Sequence, residues 1–313
     1  MKDYYSIAKT SNFKSLVEQG LMMKQEASDF SGIGKDKTLV IIFFSPSLRT
    51  RISTHKAGLK LGMHVISMNA GDGYQMEFDL GSIMNGNTAE HIKEAAKVLS
   101  QFGDMIAIRA FPGLQSKEDD LKDQVLKGFI KYATVPIINL ESCLHHPLQG
   151  LADAITIEGN KKTAKPKVVL SWAPHPKALP LAVPISFAQA MNAMDYDFVV
   201  THPQGHELPP ELVGDLNIEY DQRKAFENAD FVYAKSWSST QYYGIPNPDL
   251  SWIVDAEKMA FTNNGKFMHC LPIRRNVVAS DSVLDSENAL IYEQAGNRVF
   301  AAQSVLHSLI EHS

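Results

Sequence analysis

The chain has little of several things that would mark a function class. Only two cysteines, Cys143 and Cys270, occur in 313 residues. They form no CxxC pair and no Cys/His spacing suited to zinc, so neither a disulfide framework nor a metal site is expected. An excess of positive charge is also missing: the formal net charge is −5, and the scattered Lys and Arg offer no basic face for nucleic-acid phosphates. No window approaches 18 apolar residues without a charge, and residues 1–10 carry neither the basic nor the apolar stretch of a secretion signal. A cytoplasmic protein with no nucleic-acid or membrane partner is the expectation. A Gly-rich dinucleotide fingerprint and a GK[ST] phosphate loop are absent too, which weakens a nucleotide reading. No cofactor is expected.

What is present is enough apolar sequence, 44% of the chain, to bury a large core, and at this length two domains are likelier to fit than one. Apolar runs at 38–44, 65–69, 105–109 and 135–140 read as strands, and the segments between them have helical spacing, as at 50–61. Residues 88–102 are expected as a helix with Thr88 as its cap and Glu90 in its first turn. The second half repeats the rhythm, with strands at 167–172, 197–201, 230–234 and 265–269 and a helix over 181–194. This alternation predicts an α/β protein of two doubly wound parallel-sheet domains. A helix over 146–158, followed by the polar loop 159–166, marks the boundary. The expected division is 1–145 with a terminal helix returning over 298–313, and 146–297.

Chemistry-bearing residues gather after the first strand, where Ser47, Leu48, Arg49, Thr50 and Arg51 fall at a strand end and helix start. A helix N-terminus offers unpaired N–H groups, hydroxyls add donors, and Arg supplies a planar fork matched to phosphate. Taken alone, the same residues also fit an ordinary Ser cap with solvated arginines.

With Arg109, then His146 to Gln149, then His269 to Pro272 with Arg274, and finally Arg298 in order along the chain, the sequence resembles the aspartate and ornithine carbamoyltransferase family. The resemblance implies that Ser47, Leu48, Arg49, Thr50, Arg109 and Arg298 hold carbamoyl phosphate. It implies that Thr50, His146 and Gln149 address the carbamoyl group, with Cys270 and Leu271 lining the site. Arg49, Thr50, Arg109, His146, Gln149 and Cys270 carry the catalysis in this reading. Tyr74 stands where the N-acetylornithine enzymes carry a Trp that reaches the neighbouring subunit's site, so a homo-oligomer, by family precedent a trimer, is implied as well.

The acceptor motif of enzymes that use free ornithine is not found. The proline-rich segment 173–184, the stretch 233–237 and the stretch 268–276 are instead similar to the N-acylornithine subgroup, in which the proline-rich loop belongs to a knotted backbone. By this resemblance Lys235 and Arg274 take the α-carboxylate, with Glu141, His175 and Lys177 nearby. Three departures lean from an acetyl toward a succinyl acceptor: Ala89 replaces a Glu, Val278 a Lys and Pro180 an Asn. A succinyl group carries an extra carboxylate, which a neighbouring anion would repel.

The chemistry suits these residue types. An amine attacking carbamoyl phosphate places negative charge on the carbonyl oxygen and then on the departing phosphate, so fixed cations and donors are needed. The amine, with a pKa of roughly 10.4, is neutral in about one molecule per thousand near pH 7.5, and losing its proton costs about 4 kcal/mol. The expected activity is carbamoylation of N-succinylornithine in arginine biosynthesis. The rival readings are the N-acetylornithine reaction, another amine acceptor, or a non-catalytic metabolite-binding paralogue.

Overall fold

The computed structural model describes residues 1–25, 30–72 and 75–312. The chain divides into two compact units: Met1–Gly113 with Glu118–Leu148 and Arg298–Ser313, and Leu114–Lys117 with Gln149–Asn297. The divisions at 148/149 and 297/298 fall inside two helices, Pro147–Asn160 and Ile291–Ile310.

The first unit is built on a parallel sheet in the order His64–Asn69, Thr38–Phe43, Met105–Arg109 and Ile137–Glu141. The inner strands are β-branched, continuous apolar runs, as befits strands covered on both faces. Val40, Ile42, Ile106, Ile108 and Ile137 pack against Ile92, Ala96, Leu126 and Phe129 of the helices Ile92–Phe102 and Gln124–Tyr132. Register sets the site. Phe43 pairs with both Asn69 and Arg109, and a one-residue shift after Ile108 brings Glu141, not Leu140, opposite Arg109. All these residues lie at the carboxyl ends of their strands, where open α/β sheets bind ligands. The helix Leu48–Lys60 approaches closely because Gly58 has no Cβ, which would stand 2.7 Å from Val65 Cγ2.

The second unit holds five parallel strands in the order Lys266–Met268, Phe231–Lys235, Lys167–Trp172, Asp197–Thr201 and Asn217–Ile218. Its core joins Val169, Val199, Val232 and Phe267 to Val254, Val283, Leu284 and Ile291.

Two expected elements differ. The helix expected from Thr88 begins at Ile92, capped by His91, whose Nδ1 accepts the Lys93 N–H at 3.1 Å. Glu90–His91 pair instead with Met76–Glu77 as a short parallel ladder, and the Ala89 N–H donates to the Gln75 carbonyl at 2.9 Å. Backbone pairing with a distant segment thus takes the residues that propensity alone would put in a first helical turn. The terminal helix starts at Ile291, seven residues before Arg298. Its early turns are polar and contain Gly296, yet Gln294 and Asn297 are buried and bonded to Asp153 and Thr156. Tertiary contacts override composition there.

Candidate active site

The first cluster grows from the turn after Phe43. Ser47 is extended (φ −155°, ψ 118°) and its Oγ accepts the Thr50 N–H at 3.4 Å, a weak N-cap on the helix Leu48–Lys60. Thr50 is buried, and its hydroxyl accepts from Arg298 Nη2 at 2.6 Å, tying the terminal helix to the start of the helix Leu48–Lys60. Among the described residues the buried Nε–H of Arg49 meets no hydrogen-bond acceptor. A helix N-terminus, an uncommitted Arg donor and a second buried Arg make an anion cradle. Leu48 is exposed, so only its backbone can serve that cradle. Arg51 is occupied elsewhere: its Nη1 donates to Ser67 Oγ at 2.9 Å, its Nη2 bonds Asn69, and it lies 4.1 Å from the Phe43 ring centre.

Arg109 is buried and almost fully committed. Its Nε donates to Glu141 Oε2 at 3.0 Å, its Nη2 forms an ion pair with the same oxygen at 2.7 Å, and its Nη1 donates to Ser45 Oγ at 2.7 Å and to the Ser45 and Pro46 carbonyls at 3.0 Å. The fork therefore clamps the turn before Ser47 and leaves an Nη2 hydrogen for a ligand oxygen. Glu141, expected beside the acceptor, is placed as the counter-ion of Arg109.

His146 is buried just after a braced turn. Ser142 Oγ donates to Asp123 Oδ2 at 2.7 Å, the Cys143 N–H donates to Asp123 Oδ1 at 3.4 Å, and Asn139 Nδ2 donates to the His145 carbonyl at 3.2 Å. Burial raises the Asp123 carboxyl pKa against the lowering effect of those bonds, and burial pushes the Cys143 thiol up to about 12, so that cysteine stays protonated.

The second unit holds the other candidates. Gln149 is buried on the first turn of Pro147–Asn160, its Nε2 donating to Asp153 Oδ1 at 2.7 Å. Cys270 and Leu271 follow the strand Lys266–Met268, in a turn where the Leu271 N–H donates to His269 Nδ1 at 2.9 Å. Lys235 is buried at the end of its strand. The His175 imidazole is depressed first by burial and then by the neighbouring cations Lys235, Arg274 and Lys177, which groups these four residues in one positive region. His175 Nδ1 accepts the Lys177 N–H at 3.1 Å. Such a region suits a dicarboxylate better than a cationic ligand.

Some expected site residues stand apart. Val278 is buried in the second core, and its carbonyl accepts the Val254 N–H at 3.0 Å. Ala89 is exposed, just before the Glu90–His91 ladder. Tyr74 lies outside the described residues. Ser45, Asp123, Asp153 and Gln294 were not singled out from sequence. The one available signal was the spacing of Gln149 and Asp153, four residues apart and so on one helix face. Among the described residues no helix is long and apolar enough to cross a membrane.

The chain is an α/β protein of two parallel-sheet units, one with an anion cradle and one with a cation cluster, both suited to hold small anions. Residues 2–159 match the aspartate/ornithine carbamoyltransferase carbamoyl-P binding domain, and residues 182–309 match the Asp/Orn binding domain of the same family. The chain belongs to the aspartate/ornithine carbamoyltransferase family. It is 45% identical to the N-succinylornithine carbamoyltransferase of Bacteroides thetaiotaomicron over 99% of each chain. It is 38% identical to the N-acetylornithine carbamoyltransferase of Xanthomonas campestris over 89% of each. A crystal structure of acetylornithine transcarbamylase complexed with acetylcitrulline matches with a TM-score of 0.91 at 36% identity, covering 99% of both chains.

Proposed function

We propose that the chain transfers the carbamoyl group of carbamoyl phosphate to the side-chain amine of N-succinyl-L-ornithine, giving N-succinyl-L-citrulline and phosphate. The observation that carries this reading is the end-to-end 45% identity with an N-succinylornithine carbamoyltransferase, joined to the anion cradle in which Arg298 grips Thr50 at 2.6 Å. In this reading Ser47, Arg49, Thr50, Arg298 and the spare donor of Arg109 take the phosphate. His146 donates to the carbonyl oxygen as charge develops there, and Gln149 accepts from the carbamoyl amide. Cys270 and Leu271 line the carbamoyl group. Lys235 and Arg274 take the α-carboxylate, with His175 and Lys177 adding positive potential. The first unit is the phosphate-binding domain and the second the acceptor-binding domain.

Ala89 supports the succinyl acceptor, because an uncharged side chain tolerates a second carboxylate. An N-acetyl-L-ornithine transcarbamylase in which a Glu is mutated to Val, 36% identical with a TM-score of 0.92, was solved with carbamyl phosphate and N-succinyl-L-norvaline. The alternative acceptor is N-acetylornithine, favoured by the acetylornithine relatives at 38% identity. The working form is an oligomer, a trimer by the resemblance. The exposed Leu48, Ile52 and Leu59 line one face of a helix, with exposed Ile66 on the edge strand His64–Asn69, and such a stripe suits a partner copy. The test is phosphate release from carbamoyl phosphate as each acceptor is added. Release with N-succinylornithine supports the reading, and no release with any amine returns the chain to a metabolite-binding role.

A further inference from the structure

Asp153 is fully buried, with 0% of its surface exposed, and nothing in the transfer reaction described above uses it. Its Oδ1 accepts from two amides: Gln149 Nε2 at 2.7 Å, one turn earlier on the same helix, and Gln294 Nε2 at 2.7 Å, from the helix Ile291–Ile310. Gln294 Oε1 in turn accepts the His269 N–H at 2.9 Å, and His269 Nδ1 accepts the Leu271 N–H at 2.9 Å. The buried Tyr233 phenol lies beside both Asp153 and Cys270, and burial together with these neighbours holds its ionisation well above the ordinary range. One carboxyl group is therefore the hub for a side chain and a turn that both belong to the proposed site.

An ionised carboxylate has acceptors only, whereas a glutamine amide has a donor end and an acceptor end that differ little in shape. A carboxylate bonded to Nε2 decides which end faces away from it. We infer that Asp153 is a positioning residue for carbamoyl transfer: it turns the carbonyl end of Gln149 toward the carbamoyl amide and, through Gln294, holds the main chain at His269, Cys270 and Leu271. The inference rests on the proposed function, because it gives the oriented amide its ligand.

Asp153→Asn conserves shape and volume but replaces a charged acceptor that both amides share at Oδ1 with a neutral amide carrying one acceptor and one NH2, so Gln149 is no longer held in one orientation. With the NH2 toward Gln149, that amide turns over and directs its own donor at the donor of the carbamoyl group. The experiment compares binding of phosphonoacetamide, in which a methylene replaces the bridging oxygen of carbamoyl phosphate, with binding of inorganic phosphate by calorimetry, alongside steady-state kinetics. In Asp153→Asn the preference for phosphonoacetamide should fall about tenfold and kcat about a hundredfold. Phosphate affinity and the KM for N-succinylornithine should stay within about twofold, since the first unit and the cation cluster are untouched. A lowered melting temperature with preference and kcat unchanged would make Asp153 structural only and overturn the inference. Equal binding of both compounds by the unaltered chain, with no turnover, overturns the proposed function itself and this inference with it. If Asp153→Asn does not fold, Gln294→Met removes one spoke at similar volume. It should cut kcat about tenfold with the acceptor KM unchanged, and an unchanged kcat counts against the network.

Discussion

Glu141→Ala separates a structural role for the Arg109–Glu141 pair from the role in acceptor binding that resemblance assigns to Glu141. The two residues are each 7% exposed, and their contacts at 2.7 and 3.0 Å leave no room for solvent between them. Removing the carboxylate strands a buried guanidinium, which costs about 3–5 kcal/mol, compared with at most about 1 kcal/mol for a surface pair. For a domain of this size that corresponds to a fall of roughly 6–20 °C in the calorimetric melting temperature. The same change loosens Arg109 from Ser45 and Pro46, next to Ser47. A displaced loop should lower kcat/KM for carbamoyl phosphate by about a hundredfold. Arg109→Met with Glu141→Leu should restore the melting temperature without restoring activity, because a packed apolar pair removes the uncompensated charge. The reasoning fails if Glu141→Ala melts within 2 °C or so of the unaltered chain, and a rise confined to the acceptor KM would return Glu141 to the acceptor.

The remaining predictions are simpler. Arg49→Ala should remove most activity while moving the melting temperature little, since this side chain contributes little to packing; unchanged turnover would contradict the phosphate role. Ala89→Glu should shift preference from N-succinylornithine toward N-acetylornithine through like-charge repulsion, and an unaltered ratio removes position 89 from specificity. Burial, helped by Lys127, pushes the His145 imidazole down to about 4 from 6.5. The unfolded chain then takes up a proton below pH 6.5 while the folded chain resists, so stability is lost as pH falls from about 6.5 to 4, by about 3 kcal/mol. His145→Gln should flatten that limb of a melting-temperature profile. The raised carboxyl of Asp123 acts with opposite sign but is present in both proteins, so parallel profiles would refute the assignment.

The sheets were legible because most strands are apolar runs bounded by polar turns: the expected spans 105–109, 167–172 and 197–201 coincide with Met105–Arg109, Lys167–Trp172 and Asp197–Thr201. The helix expected over 50–61 from its spacing was legible as well and runs over Leu48–Lys60. The short ladder of Glu90–His91 with Met76–Glu77 was not, because two-residue pairings leave no periodicity to read. Residue types and order put Arg49, Thr50, Arg109, His146 and Arg298 forward as a candidate set. Sequence does not record how a donor is spent. That Arg109 turns to Glu141 depends on a register shift after Ile108, and that Asp153 binds both Gln149 and Gln294 depends on the packing of two helices distant in sequence. Sequence likewise does not record burial: Val278, expected near the acceptor from a substitution pattern, lies in the second unit's core.

The central claim is tested most directly by kcat/KM for ureido-product formation from carbamoyl phosphate with N-succinylornithine, N-acetylornithine, free ornithine and putrescine measured side by side. The account predicts the largest value for N-succinylornithine, with both unacylated amines far below either acylated form. A larger value for free ornithine or putrescine than for both acylated amines would contradict it.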